Sequence, residues 1–145
     1  MSREIKFRVW AYHHILEKYA MRSYEGIKDN CLRFITDNDS FPDRIVMQYT
    51  GLKDKCGAEI YEGDIVRWGL NFSGTGYDHE NWHRYAVVEL FPALQFKVIK
   101  YFNTDKNQFE KGDDHVFGFA NFMYSDTDRY LEVIGNIHQN PELLP

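Results

Sequence analysis

Between Met47 and Trp68 the chain reads MQYTGLKDKCGAEIYEGDIVRW, a run of β-type sequence broken twice by short turn formers. Asp54-Lys55-Cys56-Gly57 sets turn residues ahead of a glycine that can take positive φ, and Glu62-Gly63-Asp64 does the same ahead of Ile65-Val66-Arg67-Trp68. Short strands joined by turns this tight point to antiparallel sheet rather than to helical layers.

The flanks continue the pattern. Ile5, Phe7 and Val9 alternate with Lys6 and Arg8, the period of a strand with one buried face. A return strand near Tyr19 to Ser23 would close a hairpin, although Ile15, Leu16, Tyr19 and Ala20 also fit helical spacing, so helix and hairpin compete over residues 11–22 and the hairpin is preferred. Cys31 to Thr36 and Arg44 to Tyr49 read as further strands around the turn-rich connector Asp37-Asn38-Asp39-Ser40-Phe41-Pro42. That connector divides an N-terminal β subdomain, residues 1–42, from a small barrel, residues 43–145. The barrel strands expected are Glu59 to Tyr61, Asp64 to Trp68, Tyr85 to Phe91, Ala93 to Tyr101, Val116 to Tyr124 and Tyr130 to Ile137. In the fourth of these Leu94, Phe96 and Val98 face one way and Gln95 and Lys97 the other, which implies one wet face. Aromatic residues make up 17% of the chain, and wide flat rings in short alternating runs suit the filling of a small barrel. Near the end, Asn140 is placed to cap a helical turn that starts at Pro141.

Three segments, REIKFR from Arg3 to Arg8, QYTGLKDKCGAEIYEGDIV from Gln48 to Val66 and EVIGNIHQNPELL from Glu132 to Leu144, occur here in the order in which the YopX family of phage and prophage proteins carries them. The chain resembles that family over essentially its whole length outside the loops, and departs from it at Ala11-Tyr12-His13-His14, where members often carry Asp after the first Trp. The resemblance implies a mainly β protein with an SH3-like β-barrel and an N-terminal hairpin-type extension. It assigns no activity and no cofactor. With no apolar signal segment at the start and two cysteines outside any CxxC, the cytoplasm of a bacterial host is the expected compartment.

Charge is uneven. Residues 1–36 are net +3 and residues 37–145 net −8, which together give the −5 of the chain. A basic arm on an acidic body is consistent with two ordinarily solvated faces, and it also suits docking between copies of the same chain. Cys31 and Cys56 form no CxxC pair and read as free thiols. The start, Met1-Ser2-Arg3-Glu4-Ile5-Lys6-Phe7, lacks the apolar core of a signal peptide, and no run approaches the ~18 apolar residues of a membrane span.

Four constellations bear on chemistry. His79-Glu80-Asn81-Trp82-His83 is an H-E-x-x-H, which on a helix would bind Zn²⁺ with Glu80 as general base. Here it follows a Gly-rich loop and precedes the strand-like Ala86-Val87-Val88-Glu89-Leu90, so a metal-dependent hydrolase is the lesser alternative, and no metal or catalytic residue is assigned. Glu62 and Asp64 flank Gly63 as turn residues, with Asp64 accepting backbone N–H groups. Asp105, Glu110, Asp113, Asp114, Asp126 and Asp128 gather around Phe109, Phe117, Phe119, Phe122 and Tyr124, a set that reads as two ordinary acidic loops or, alternatively, could imitate nucleic-acid phosphates toward a host DNA-binding protein. Direct nucleic-acid binding is the less favoured use of the barrel. The aromatics are present, but residues 37–145 contain no Lys/Arg run, leaving Arg3, Lys6, Arg8, Lys18 and Arg22 as the phosphate contacts. The sequence therefore points to a noncatalytic protein that works by contact with other proteins, itself included, with no binding residue singled out.

Overall fold

A computed structural model describes residues 5–27, 43–69, 82–90, 93–103, 106–112, 116–118 and 131–144. Strands β1 (Phe7–His13) and β2 (Lys18–Arg22) form the N-terminal hairpin, followed by a single helical turn, α1 (Tyr24–Ile27). Then come β3 (Ile45–Lys53), β4 (Glu59–Tyr61), β5 (Asp64–Gly69), β6 (Trp82–Glu89), β7 (Gln95–Asn103), β8 (Gln108–Lys111), β9 (Val116–Gly118) and β10 (Glu132–Asn136). All pairings among the described residues are antiparallel. One sheet has the order β2-β1-β3-β4 and the other β10-β5-β6-β7-β8, with β9 paired to the N-terminal half of β7.

The protein is mainly β, as its sequence periodicity requires. Over residues 11–22 the hairpin prevails over the helix: Val9 faces Arg22 and His13 faces Lys18 in register, with residues 14–17 as the turn and Glu17 in the left-handed region at φ 54°. A helix there would have left β1 paired on one side only, to β3 from Phe7↔Gln48 to Trp10↔Ile45, whereas the hairpin satisfies its backbone on both sides. The N-terminal hairpin therefore shares a sheet with β3 and β4.

The second sheet adds β8, a strand the sequence pattern does not announce, and it carries Phe109 and Glu110 of the acidic set. The expected strand at Cys31 to Thr36 and most of that from Val116 to Tyr124 lie outside the described residues. At the C-terminus the expected helical turn is a 3-10 turn, Pro141–Leu143, and Asn140 does not cap it with its side chain. Instead the Asn140 carboxamide oxygen accepts the Asn136 N–H at 3.1 Å, so the residue fastens the tail back onto β10.

Ile60, Val66, Trp68, Ala86, Val88, Phe96, Val98 and Leu131 form the principal core, with Leu52, Leu94, Tyr101 and Val133 packed against it. Val9, Ala11 and Ile27, with Val46 packed against them, form a smaller core against the first sheet. In β7 the inward side changes parity. Ala86 pairs with Val98 but Tyr85 pairs with Lys100, which leaves Ile99 as a bulge residue. Phe96 and Val98 thus point inward before the bulge and Tyr101 after it, while Lys100 and Phe102 turn outward. Gly112, whose N–H donates to the Ile99 carbonyl at 2.7 Å, lies so close to β7 that a Cβ there would collide with the Val98 carbonyl.

Candidate functional site

The two turn signals of the central segment become the joints between the sheets. Gly57 and Gly63 take φ of 84° and 85°, as their positions demand. Gly63 donates its N–H to the Val88 carbonyl at 2.9 Å and accepts from the Ile137 N–H at 3.0 Å, while the Glu62 N–H donates to the Gln48 carbonyl at 3.0 Å. One dipeptide thus touches β3, β6 and the chain just after β10. Asp54 does a similar task on the other turn. Its Oδ1 accepts from the Cys56 and Ala58 N–H groups at 2.9 and 2.8 Å, and its Oδ2 accepts from the Val133 N–H at 2.9 Å, fixing the β3–β4 turn to β10.

Beside Gly63, Asp64 is 1% exposed. Its Oδ2 accepts from the Tyr61 N–H at 2.8 Å, the turn role expected of it, and its Oδ1 pairs with Arg8 Nη2 at 2.6 Å. The ion pair is a role the sequence did not disclose, because its partner lies in the first strand. Burial raises the Asp64 carboxyl above its ordinary pKa, and the Arg8 guanidinium and the Tyr61 N–H hold it partly back. Arg8 also donates to the Glu62 carbonyl at 3.3 Å and lies 4.7 Å from the centre of the Tyr61 ring.

Around this pair opens a cleft of about 250 Å³ lined by Lys6, Arg8, Met21, Ser23, Tyr24, Glu25, Glu59 and Tyr61. Lys6 pairs with Glu59 at 2.7 Å and lies 5.9 and 5.6 Å from the ring centres of Tyr24 and Tyr49. Burial, reinforced by the neighbouring Glu59 and opposed by Lys6 and Arg8, pushes the Tyr61 phenol up to about 12. The cleft therefore presents ring faces, a protonated phenol and cations already engaged by carboxylates, features that suit recognition.

The same face of the first sheet continues outward as an aromatic surface. Trp10 stacks between Tyr19 at 6.2 Å and His138 at 5.7 Å, and Tyr12 meets Tyr19 and His14 edge-on at 5.6 and 5.2 Å. Burial, and secondarily Arg8, lowers the His138 pKa, so the ring that joins the C-terminal segment to this sheet is neutral at pH 7. Tyr12, Ile15, Leu16, Tyr19 and Ile45 expose 40, 88, 53, 43 and 42% of their surface.

The residues flagged by sequence are dispersed. His79 and Glu80 lie outside the described residues, and His83 belongs to strand β6 rather than to a helix, so the geometry that makes H-E-x-x-H a zinc motif does not extend to its second histidine. Among the described residues no group of His, Cys, Asp or Glu is placed to hold a metal ion. Of the acidic set, Glu110 accepts from Tyr101 Oη at 2.9 Å and Asn103 Nδ2 at 3.2 Å and pairs with Lys106 at 3.1 Å; Asp105, Asp113, Asp114, Asp126 and Asp128 lie outside the described residues. Cys56 is an exposed free thiol, and Cys31 lies outside the described residues. Of the basic arm, Lys6 and Arg8 line the cleft, Lys18 and Arg22 lie on β2, and Arg3 is outside the described residues. No described helix is long and apolar enough to cross a membrane.

No curated protein sequence matches the chain. Among solved structures, the crystal structure of protein EF1440 from Enterococcus faecalis is similar, with 28% identity over 99% of this chain and 100% of that one and a TM-score of 0.42. The family model described as YopX protein matches residues 6–145, from the strand that carries Arg8 to the final turn, and the chain belongs to the YopX family.

Proposed function

We propose that the protein is a noncatalytic interaction module whose N-terminal hairpin docks on a second copy of the same chain, in the cytoplasm of a phage-bearing bacterium. In this reading the second sheet closes as an SH3-like barrel and serves as the scaffold. The observation that carries it is the row of exposed Tyr12, Ile15, Leu16 and Tyr19 on the hairpin, apolar side chains that a monomer would leave in water. Charge names the occupant. The hairpin belongs to the segment of net +3, and the remainder of the chain, net −8, is the complementary surface that another copy brings. Strand β2, which among the described residues pairs with β1 alone, offers backbone groups for strand addition beside those side chains.

Sedimentation velocity at several hundred micromolar, in low and high salt, tests the reading. Self-association that weakens with salt and is abolished in Ile15→Glu/Tyr19→Ser is expected. A monomer at low salt, or association indifferent to those substitutions, overturns it.

A further inference from the structure

The outer face of the second sheet gathers cations that are far apart in sequence. Arg67, Tyr85, Lys100 and Lys111 stand in one transverse row, since Arg67 is opposite Tyr85, Tyr85 opposite Lys100, and Lys100 opposite Lys111. Three inter-strand steps make this row ~14 Å long. Lys97 lies on the same side of β7, between the inward-facing Phe96 and Val98. The carboxylates on the described part of this face lie at its margins: Glu132 on β10, paired with Arg67 at 3.2 Å, and Glu89 at the end of β6, bonded to Gln95 at 2.9 Å. In a region whose net charge is −8, the middle of the face is cationic.

Aromatic rings interleave with these cations. Lys100 Nζ lies 4.3 Å from the centre of the Tyr85 ring and 4.9 Å from that of Phe109. Phe109 meets Tyr85 and Phe102 edge-on at 5.9 and 5.2 Å, and leaves 45% of its surface in water. A core ring has no reason to be displayed beside a lysine row. A ring on which bases stack does, because stacking needs an exposed π-face within reach of the cations that neutralise the adjoining phosphates. The Ile99 bulge creates the surface by turning Lys100 and Phe102 outward, and the absence of a Cβ at Gly112 lets β8 lie close enough to carry Phe109 and Lys111.

We propose that this face, Tyr85, Lys100, Phe102, Phe109 and Lys111 with Lys97 at its border, binds single-stranded nucleic acid without sequence readout. The face is separate from the hairpin and independent of self-association. Fluorescence anisotropy of the full chain with labelled dT20 and rU20, between 50 and 200 mM salt, provides the test, with duplex DNA as competitor. Expected are binding to at least one single strand, weak competition by duplex, and about tenfold loss in Phe109→Ala. Lys100→Gln/Lys111→Gln lowers the logarithmic salt slope by about 1.4, and Lys18→Gln on the hairpin changes nothing. Circular dichroism confirms that each variant is folded; should Phe109→Ala unfold, Phe109→Leu keeps the volume and removes the π-face. No binding at 50 mM salt, equal affinity for duplex, or an unchanged slope in the double lysine variant overturns the proposal.

Discussion

Replacing Arg8 by Met removes one half of an ion pair whose other half, Asp64, has a side chain 1% exposed. Breaking a buried pair from one side costs ~3–5 kcal/mol, because the remaining charge stays desolvated. Asp64 keeps the Tyr61 N–H at 2.8 Å, which places the cost near the lower end, about 3 kcal/mol. With an m-value of about 2 kcal/mol/M, that is a fall of about 1.5 M in the urea midpoint. The pH dependence gives the mechanism away. The folded pKa of Asp64 already lies above its ordinary value, so between the two the native state holds more protons than the unfolded chain, and stability falls as pH rises through that window. Without Arg8 the folded pKa climbs further and the window widens upward, at ~1.4 kcal/mol per unit. Arg8→Met is therefore more destabilising at pH 8 than at pH 5. In Arg8→Met/Asp64→Asn no carboxylate is left to strand; the pH difference disappears, and the double variant is more stable than the sum of the single losses by about 2 kcal/mol. Urea unfolding of the four proteins at both pH values, followed by tryptophan fluorescence, decides the matter. Additive losses with the same cost at pH 5 and pH 8 would refute the reasoning.

Asp54→Ala strands the Cys56, Ala58 and Val133 N–H groups that its carboxylate accepts, and costs about 3 kcal/mol in chemical denaturation. Gly63→Val forces a β-branched residue to φ 85° with the Met47 sulfur 3.3 Å from the new Cβ; a loss of ~2–3 kcal/mol is expected, with Gly63→Asn, which tolerates left-handed backbone, losing less. The Glu110 carboxyl is held at about 2 by hydrogen bonds from Asn103, Tyr101 and Lys106. A depressed carboxyl stabilises the fold above its ordinary pKa of 4.5 and loses that contribution as pH falls toward 2, so the melting temperature of Glu110→Gln declines less than that of wild type between pH 5 and pH 2.5.

Period-two alternation made β1 and β7 legible, and the turn chemistry at Gly57 and Gly63 was readable because positive φ is a local demand on a local residue. Strand β8 was not. Its core-side Glu110 is polar and its outer Phe109 is apolar, so the pattern is inverted relative to the usual rule, and only the contacts of Glu110 with Tyr101 and Asn103 explain why a carboxylate faces in. The capping role assigned to Asn140 failed for a related reason: its side chain had a competing acceptor role toward Asn136 that depends on the path of the tail. The cation row was invisible because Arg67, Lys97, Lys100 and Lys111 form no run along the chain; strand register and one bulge bring them together. Asp64 shows the same limit, since no local signal connects it to Arg8, 56 residues away.

The residues that carry the family resemblance meet at the joints between the sheets. Arg8 comes from the first motif, Asp54, Gly63 and Asp64 from the second, and Val133, Asn136 and Ile137 from the third, and each contacts a residue of another motif or fastens the third motif to itself. Membership thus marks a scaffold: three segments distant in sequence that fix one another through buried bonds. The surfaces offered to partners lie elsewhere. Tyr12, Ile15, Leu16 and Tyr19 on the hairpin, and Tyr85, Lys100, Phe109 and Lys111 on the second sheet, all fall outside those motifs. Stability and binding are accordingly expected to separate under mutation. Substitutions in the motifs lower the melting temperature, while Ile15→Glu and Lys100→Gln leave it nearly unchanged and alter only what the protein binds. A motif substitution that spares folding but abolishes self-association would place the contact surface at the joint itself, in the cleft beside Arg8 and Tyr61.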